Sequence, residues 1–180
     1  ITDGPLMKAW GFFRGEGRIP WSFELWYVMR KVGYQHLLLN EEHRSVQFER
    51  SGMELDLGGI AKGYAVDRVV ELLKENKIAR AFVSAGGSTL YGLGTPPDMP
   101  GWEVKLQDPI HPHDRTKSAV TVMLKNRSLS VSGNYEKFFN VRGKTYSHIM
   151  DPRTGHPVEN MLSVAVLSQT GTDGDALDNM

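Results

Sequence analysis

The chain has 180 residues, 40% hydrophobic and 23% charged, which suits a globular protein with one medium core or most of a two-lobed one. Lys plus Arg number 21 and Asp plus Glu number 21, so there is no net basic footprint of the kind a nucleic-acid binder needs. The absence of cysteine excludes disulfides, thiolate catalysis and Cys-based zinc or iron–sulfur centres, and no apolar run reaches the roughly 20 residues of a membrane span.

Residues 1–20 place turn formers around an aromatic cluster, Trp10, Phe12 and Phe13. Leu25, Val28 and Met29 recur at helical spacing, which predicts a short amphipathic helix over 22–31 that stops before Gly33. QHLLLN and SVQFERSGMELDL alternate as two strands joined by the polar turn NEEHR. A helix is expected from Ile60 to Asn76, with Ala61, Ala65, Val69, Leu72 and Leu73 on its apolar stripe and Lys62 and Asp67 on the rest of its surface. RAFVSAGG reads as a buried strand running into a glycine turn. Further strands are expected at WEVKLQ, 119–124 and 127–132, then a hairpin turning at Arg142-Gly143, and a last strand at MLSVAVLS before a helix that starts in DGDALDNM. Strands outnumber helices and come in adjacent pairs, so the expected fold class is α+β, with a largely antiparallel mixed sheet packed with helices. The opening ITDGPL reads as mid-protein text without a signal peptide, and the chain stops inside a helical pattern, so a fragment or processed chain is expected.

LDLGGIAKGYAVD, residues 55–67, is the strongest local signal. A strand would deliver Asp56 to its end, and Gly58 and Gly59 would turn the backbone tightly into a helix. Such a helix N-terminus offers unpaired N–H groups to a phosphate, with Lys62 adding a full charge. Equally, Asp56 could serve only as a helix cap. In SVSGNYEKFF, residues 130–139, the Ser132 hydroxyl and the Gly133 N–H could bind a phosphate or ribose oxygen, and Tyr135 could cover an aromatic ring. The alternative is a strand-ending turn with core aromatics. YSHIMDPRTGHPV, residues 146–158, holds His148, suited either to proton transfer or to a satisfied core position, and His156, read as a solvated loop residue. TDGDALDN holds Asp173, Asp175, Asp178 and Asn179, which suit either helix capping or a hard-cation site. On a helix, Asp175 and Asn179 would share a face.

These segments, with GPLMKAWGF before them and GWEVKLQDP between them, follow the order of motifs in the FAD:protein FMN transferase (ApbE-like) family, and the resemblance covers essentially all 180 residues. It implies a single ApbE-like domain over 1–180 that lacks an N-terminal part bearing an export signal and further flavin contacts. It implies transfer of FMN from FAD to a Thr or Ser of an acceptor protein, releasing AMP. The acceptor would belong to a flavin-dependent electron-transfer system, and the location would be periplasmic or cell-envelope, as a membrane-associated lipoprotein. FAD hydrolysis to FMN and AMP, and flavin binding without turnover, are the alternatives. In the roles the family implies, His148 deprotonates the acceptor hydroxyl. Asp56, Gly58, Lys62, Ser132, Gly133, Tyr135 and Ile149 contact FAD, and the Gly59 carbonyl, Asp175 and Asn179 hold Mg²⁺. Two positions depart from the family: Asn179 stands where the family has Thr, and Ser88 where Asp or Asn is more frequent.

Overall fold

The structure, a computed structural model, describes residues 1–13, 15–111, 114, 116–134 and 137–179. In chain order the elements are α1 (Gly4–Ala9), α2 (Ser22–Met29), β1 (Leu37–Asn40), β2 (Ser45–Phe48), α3 (Ala61–Glu75), β3 (Ala81–Ala85), β4 (Thr89–Leu93) and β5 (Trp102–Gln107). They continue with β6 (Ser118–Leu124), β7 (Arg127–Gly133), β8 (Phe138–Val141), β9 (Lys144–Ser147), β10 (Met150–Asp151), β11 (His156–Pro157), β12 (Ser163–Ser168) and α4 (Gly171–Leu177). The class is α+β as expected, and every strand pair among the described residues is antiparallel. The chain forms two compact units, Ile1–Leu57 with Glu136–Asn160, and Gly58–Tyr135 with Met161–Met180.

The first unit is organised by aromatic and aliphatic packing. Leu6 and Trp10 are fully buried with Val32 and Met150, and Phe12, Leu25, Val28, Met29, Phe139 and Tyr146 pack around them. The turn-rich reading of the opening residues misses α1, in which Pro5 takes the first turn, where a missing N–H costs nothing. The Trp10 indole N–H donates to the Gly155 carbonyl at 2.9 Å, so the largest side chain of this core leaves no polar atom unpaired. The two expected hairpins are present as β1–β2 and β8–β9. The second turns where expected, with Arg142 at φ 51° and Gly143 at φ 78°, the left-handed pair that matches strand twist in a two-residue turn. The strand expected to reach Asp56 ends at Phe48; residues 49–57 run on as turn and irregular chain.

In the second unit a four-stranded sheet has the order β12-β7-β4-β3. One of its two inner strands, β4, not anticipated from the sequence, is buried along its whole length. Alternation along β4 separates two cores. Tyr91 and Leu93 pack with Val66 and Val70 of α3, whereas Leu90 packs with Val104, Leu124 and Leu129 against the β5–β6 hairpin. β3, expected to be buried, is instead the half-exposed edge of the sheet.

The helix expected over 60–76 is α3, but its inward face is not the stripe expected. Gly63, Val66 and Val70 are buried with Leu73 beside them, while Val69 and Leu72 are exposed. The two stripes share helical spacing, and Gly63 decides between them. A Cβ there would lie 2.1 Å from the Gly171 carbonyl oxygen, so α3 meets α4 on the side where it has no side chain. The helix then stops in a Schellman arrangement, with Lys77 at φ 60°, the Lys77 N–H on the Lys74 carbonyl and the Ile78 N–H on the Leu73 carbonyl.

Candidate functional site

α4 rests on the polar face of the sheet. Along β7, Leu129 and Val131 turn towards the β5–β6 core, so alternation turns Ser128, Ser130 and Ser132 the other way, beneath α4. Thr89 of β4 stands opposite Ser130 in the register. The helix is fixed over them by caps. Thr170 accepts the Asp173 N–H at 3.1 Å, and the Asp67 carboxylate of α3 accepts the Gly171 N–H at 2.6 Å and the Thr172 N–H at 2.8 Å. Asp67 is therefore a structural anchor between helices and not the surface residue its place in the sequence suggests.

Asp175 is 1% exposed on the inner face of α4. Its Oδ2 accepts the Gly63 N–H at 2.9 Å and its Oδ1 the Thr89 hydroxyl at 3.1 Å. The Lys62 ammonium lies 3.6 Å from Oδ1 and donates to the Gly58 carbonyl at 3.0 Å. One positive charge thus bridges the glycine turn and the buried carboxylate. Asn179 falls beyond the helix, whose C-cap is Asp178, and its Nδ2 donates to the Asp175 backbone carbonyl at 2.9 Å and to Asp178 Oδ1. The shared helical face expected for Asp175 and Asn179 is replaced by this direct link. Asp178 is buried as well, and its carboxyl is pushed up to about 6. Burial does most of this and Asp175 adds to it, against the lowering effects of the Ser132 hydroxyl and Lys62. Among the described residues, its Oδ2 and the Ser130 hydroxyl are buried with no hydrogen-bond partner.

The second unit therefore brings together Gly58, Lys62, Ser132, Asp175 and Asn179 of the residues singled out from the sequence. Gly59 follows Gly58 in the turn, and Gly133 closes β7 opposite Ser163. Tyr135 lies outside the described residues. Sequence reasoning passed over Thr89 and the serine alternation in β7, and gave Asp178 no separate role. An S-x-S-x-S strand facing an acidic helix was the available signal.

The donors fit a hard divalent cation: carboxylate, amide and carbonyl oxygens, with no sulfur and with an orphaned carboxylate oxygen among them. The lysine lying between a carbonyl and Asp175 marks the same place as one that favours positive charge. Among the described residues no three His, Asp or Glu side chains converge, so a cation here would draw on amide and backbone oxygens.

Asp56, His148 and Ile149 belong to the first unit. Asp56 is not the cap of α3, which begins after Ile60 without a side-chain cap. Its backbone N–H donates to the Ile1 carbonyl at 2.9 Å, and its charge adds to burial in raising the Asp3 carboxyl above the usual range. His148 follows β9, and its Nδ1 is 3.1 Å from the Lys137 carbonyl. A carbonyl can only accept, so Nδ1 carries the hydrogen of this bond. The Phe12 ring lies edge-on to it at 6.4 Å. Ile149 is held by backbone, its carbonyl accepting the Val158 N–H at 2.8 Å. His156 is exposed, at the edge of the Trp10 ring.

The chain is 36% identical over 177 residues to a protein named FAD:protein FMN transferase from Klebsiella pneumoniae, covering 97% of this chain and 53% of that one. Identity to the protein of that name from Treponema pallidum is 37% over 188 residues, with 97% and 51% covered. The chain thus spans about half the length of the curated relatives it matches. Among solved structures, the ApbE protein of Thermotoga maritima superimposes with a TM-score of 0.88 at 32% identity, covering 99% of this chain and 57% of that one. The flavin transferase ApbE of Vibrio cholerae gives 0.81 at 28% identity, with 99% and 56% covered. The profile of the ApbE family matches residues 1–180, and the chain belongs to that family.

Proposed function

We propose that this protein is a Mg²⁺-dependent FAD:protein FMN transferase. What carries the reading is the match, along nearly the whole chain, to proteins bearing that name, together with a cation-ready cluster around Asp175. In the reaction, a Thr or Ser hydroxyl oxygen of the acceptor bonds to the FMN-side phosphorus of FAD. The phosphoric anhydride bond breaks, and AMP leaves with the bridging oxygen.

Asp175, the Asn179 amide oxygen and the Gly59 carbonyl would hold Mg²⁺, which when bound supplies polarisation of the pyrophosphate oxygens and offsets the charge building on them. Lys62 and the glycine turn orient the phosphates, assisted by Asp56, Ser132, Gly133 and Tyr135, with Ile149 against the flavin. Thr89 and the Gly63 N–H keep Asp175 in one rotamer, so that its position is set before substrate arrives. His148 takes the hydroxyl proton, its ring held by Nδ1–H on the Lys137 carbonyl. A periplasmic or cell-envelope location as a lipoprotein, and an acceptor from a flavin-dependent electron-transfer system, belong to the same proposal. No helix among the described residues is long and apolar enough to cross a membrane.

The test is incubation of the intact protein with FAD and Mg²⁺, with and without an acceptor domain carrying a flavinylation motif. Release of AMP and in-gel flavin fluorescence on the acceptor are then followed. Acceptor-bound flavin is the expected result, lost on chelation and in Asp175→Asn with the native circular dichroism retained. AMP formed at the same rate without acceptor would make the protein a FAD pyrophosphatase, and FAD binding without AMP a flavin carrier.

A further inference from the structure

Asp178 is a buried carboxylate of the second unit with one oxygen left unpaired among the described residues. The residue is 5% exposed; its Oδ1 accepts the Asn179 amide N–H at 2.5 Å, the Ser132 hydroxyl acts on the same carboxyl, and its Oδ2 has no well-formed hydrogen bond among the described residues. Asp175, Lys62 and the Ser132 hydroxyl are the groups that act on it. Lys62, however, is engaged between the Gly58 carbonyl and Asp175. Folded proteins seldom bury a carboxylate oxygen without a donor or a cation, because its desolvation is then uncompensated. The Asn179 amide links Asp178 Oδ1 to the Asp175 backbone carbonyl, and the Asp175 and Lys62 charges both act on the Asp178 carboxyl, which sets the orphaned oxygen beside the cluster around Asp175.

We infer that Asp178 is a further ligand of the divalent cation, adding its Oδ2 to the oxygens of Asp175, Asn179 and Gly59. The inference rests on the proposed cation site and goes beyond the ligand set that family resemblance implies. Chemically it answers the departure at Asn179: a neutral amide replaces a neutral hydroxyl, and a second carboxylate one residue before it raises the ligand charge from one to two. Ligand charge is a main determinant of affinity at hard-oxygen sites.

Binding of Mn²⁺ to the intact protein, followed by loss of the free-ion electron paramagnetic resonance signal, separates the possibilities without any turnover. Asp178→Asn, which keeps the shape and removes the charge, should weaken Mn²⁺ binding by about 10-fold or more. The metal-free melting temperature should be unchanged or higher, because a buried charge has gone. Asp178→Ser should show the same loss, so the reading does not hang on one variant. Mn²⁺ affinity within about twofold of the unaltered protein in both variants would overturn the role of Asp178 and leave the Asp175 site standing. Failure of the unaltered protein to bind Mn²⁺ at all would overturn both.

Discussion

The two units bury different chemistry. In the first, among the described residues, the fully buried polar side chains are Thr2 and Ser147, with the Asp3 carboxyl partly buried, and the interior is Leu6, Trp10, Val32 and Met150 with aromatic neighbours. In the second, Thr89, Ser128, Ser130, Asp175 and Asp178 lie between sheet and helix. An apolar interior accepts many side chains of similar volume, because dispersion and burial are not directional. A polar interior accepts few, since each donor and acceptor needs a partner at a set distance and angle. The buried polar groups of the second unit are accordingly held in fixed places, which the proposed phosphate chemistry needs. In the first unit His148, the group proposed to handle the proton, stands near an apolar core.

Changing that proton-handling group should have the largest effect. His148→Ala should lower flavin transfer by about 10²–10⁴-fold while FAD affinity stays nearly constant. Transfer and affinity lost in equal measure would make His148 a ligand contact. Next comes the apolar core itself. Trp10→Ala should cost about 3–5 kcal/mol of unfolding free energy in a denaturant titration, and Trp10→Phe markedly less. A small cost for Trp10→Ala would mean that the first unit is not held by this cluster.

The contact between α3 and α4 comes third. Gly63→Ala puts a methyl group against the Gly171 backbone and the Asp175 side chain, and should destabilise by about 1–3 kcal/mol. It should also weaken divalent-cation binding, because the Gly63 N–H that orients Asp175 must move. A loss of stability with cation affinity untouched would separate the packing from the site.

The smallest effect is expected at the surface of the first unit. The Arg153 guanidinium, hydrogen-bonded to Asp151, holds that carboxyl down at about 2, aided by the Arg153 backbone N–H. A lowered carboxylate contributes stability above its unfolded value near 4, and that contribution fades as pH falls through about 2. Arg153→Gln should accordingly change melting only slightly at neutral pH and flatten the acid limb between about 4 and 2. A large shift at pH 7 would show that this exposed pair matters more than its solvation allows.

Much of the fold was legible because it rests on short-range rules. The Arg142-Gly143 turn, the polar NEEHR connection and the alternation of WEVKLQ each lie within a few residues, and each formed as expected. The helical period over 60–76 was equally plain, yet the same period allows two inward stripes. Gly63 and the approach of α4, more than 100 residues away in sequence, chose between them. The opening helix and β4 were hidden by their turn formers, Gly4 and Pro5 in one and the glycines flanking β4 in the other.

At the site, the sequence by itself determined which residues could carry charge and phosphate contacts: the glycine turn, Lys62, and the acidic run from Asp173 to Asn179. Composition and order suffice for that, since residue type fixes donor, acceptor and charge. The partners were decided by tertiary structure. Alternating serines in β7 would ordinarily face water, but α4 covers them, and a strand's period says which residues share a face without saying what lies against it. Lys62 could have pointed at solvent, but it lies between the Gly58 carbonyl and Asp175 because α3 and α4 touch where Gly63 has no side chain. Burial, which gives a carboxylate such as Asp178 its altered affinity for protons, depends on what covers the residue, and that covering is set by contacts between segments distant in sequence.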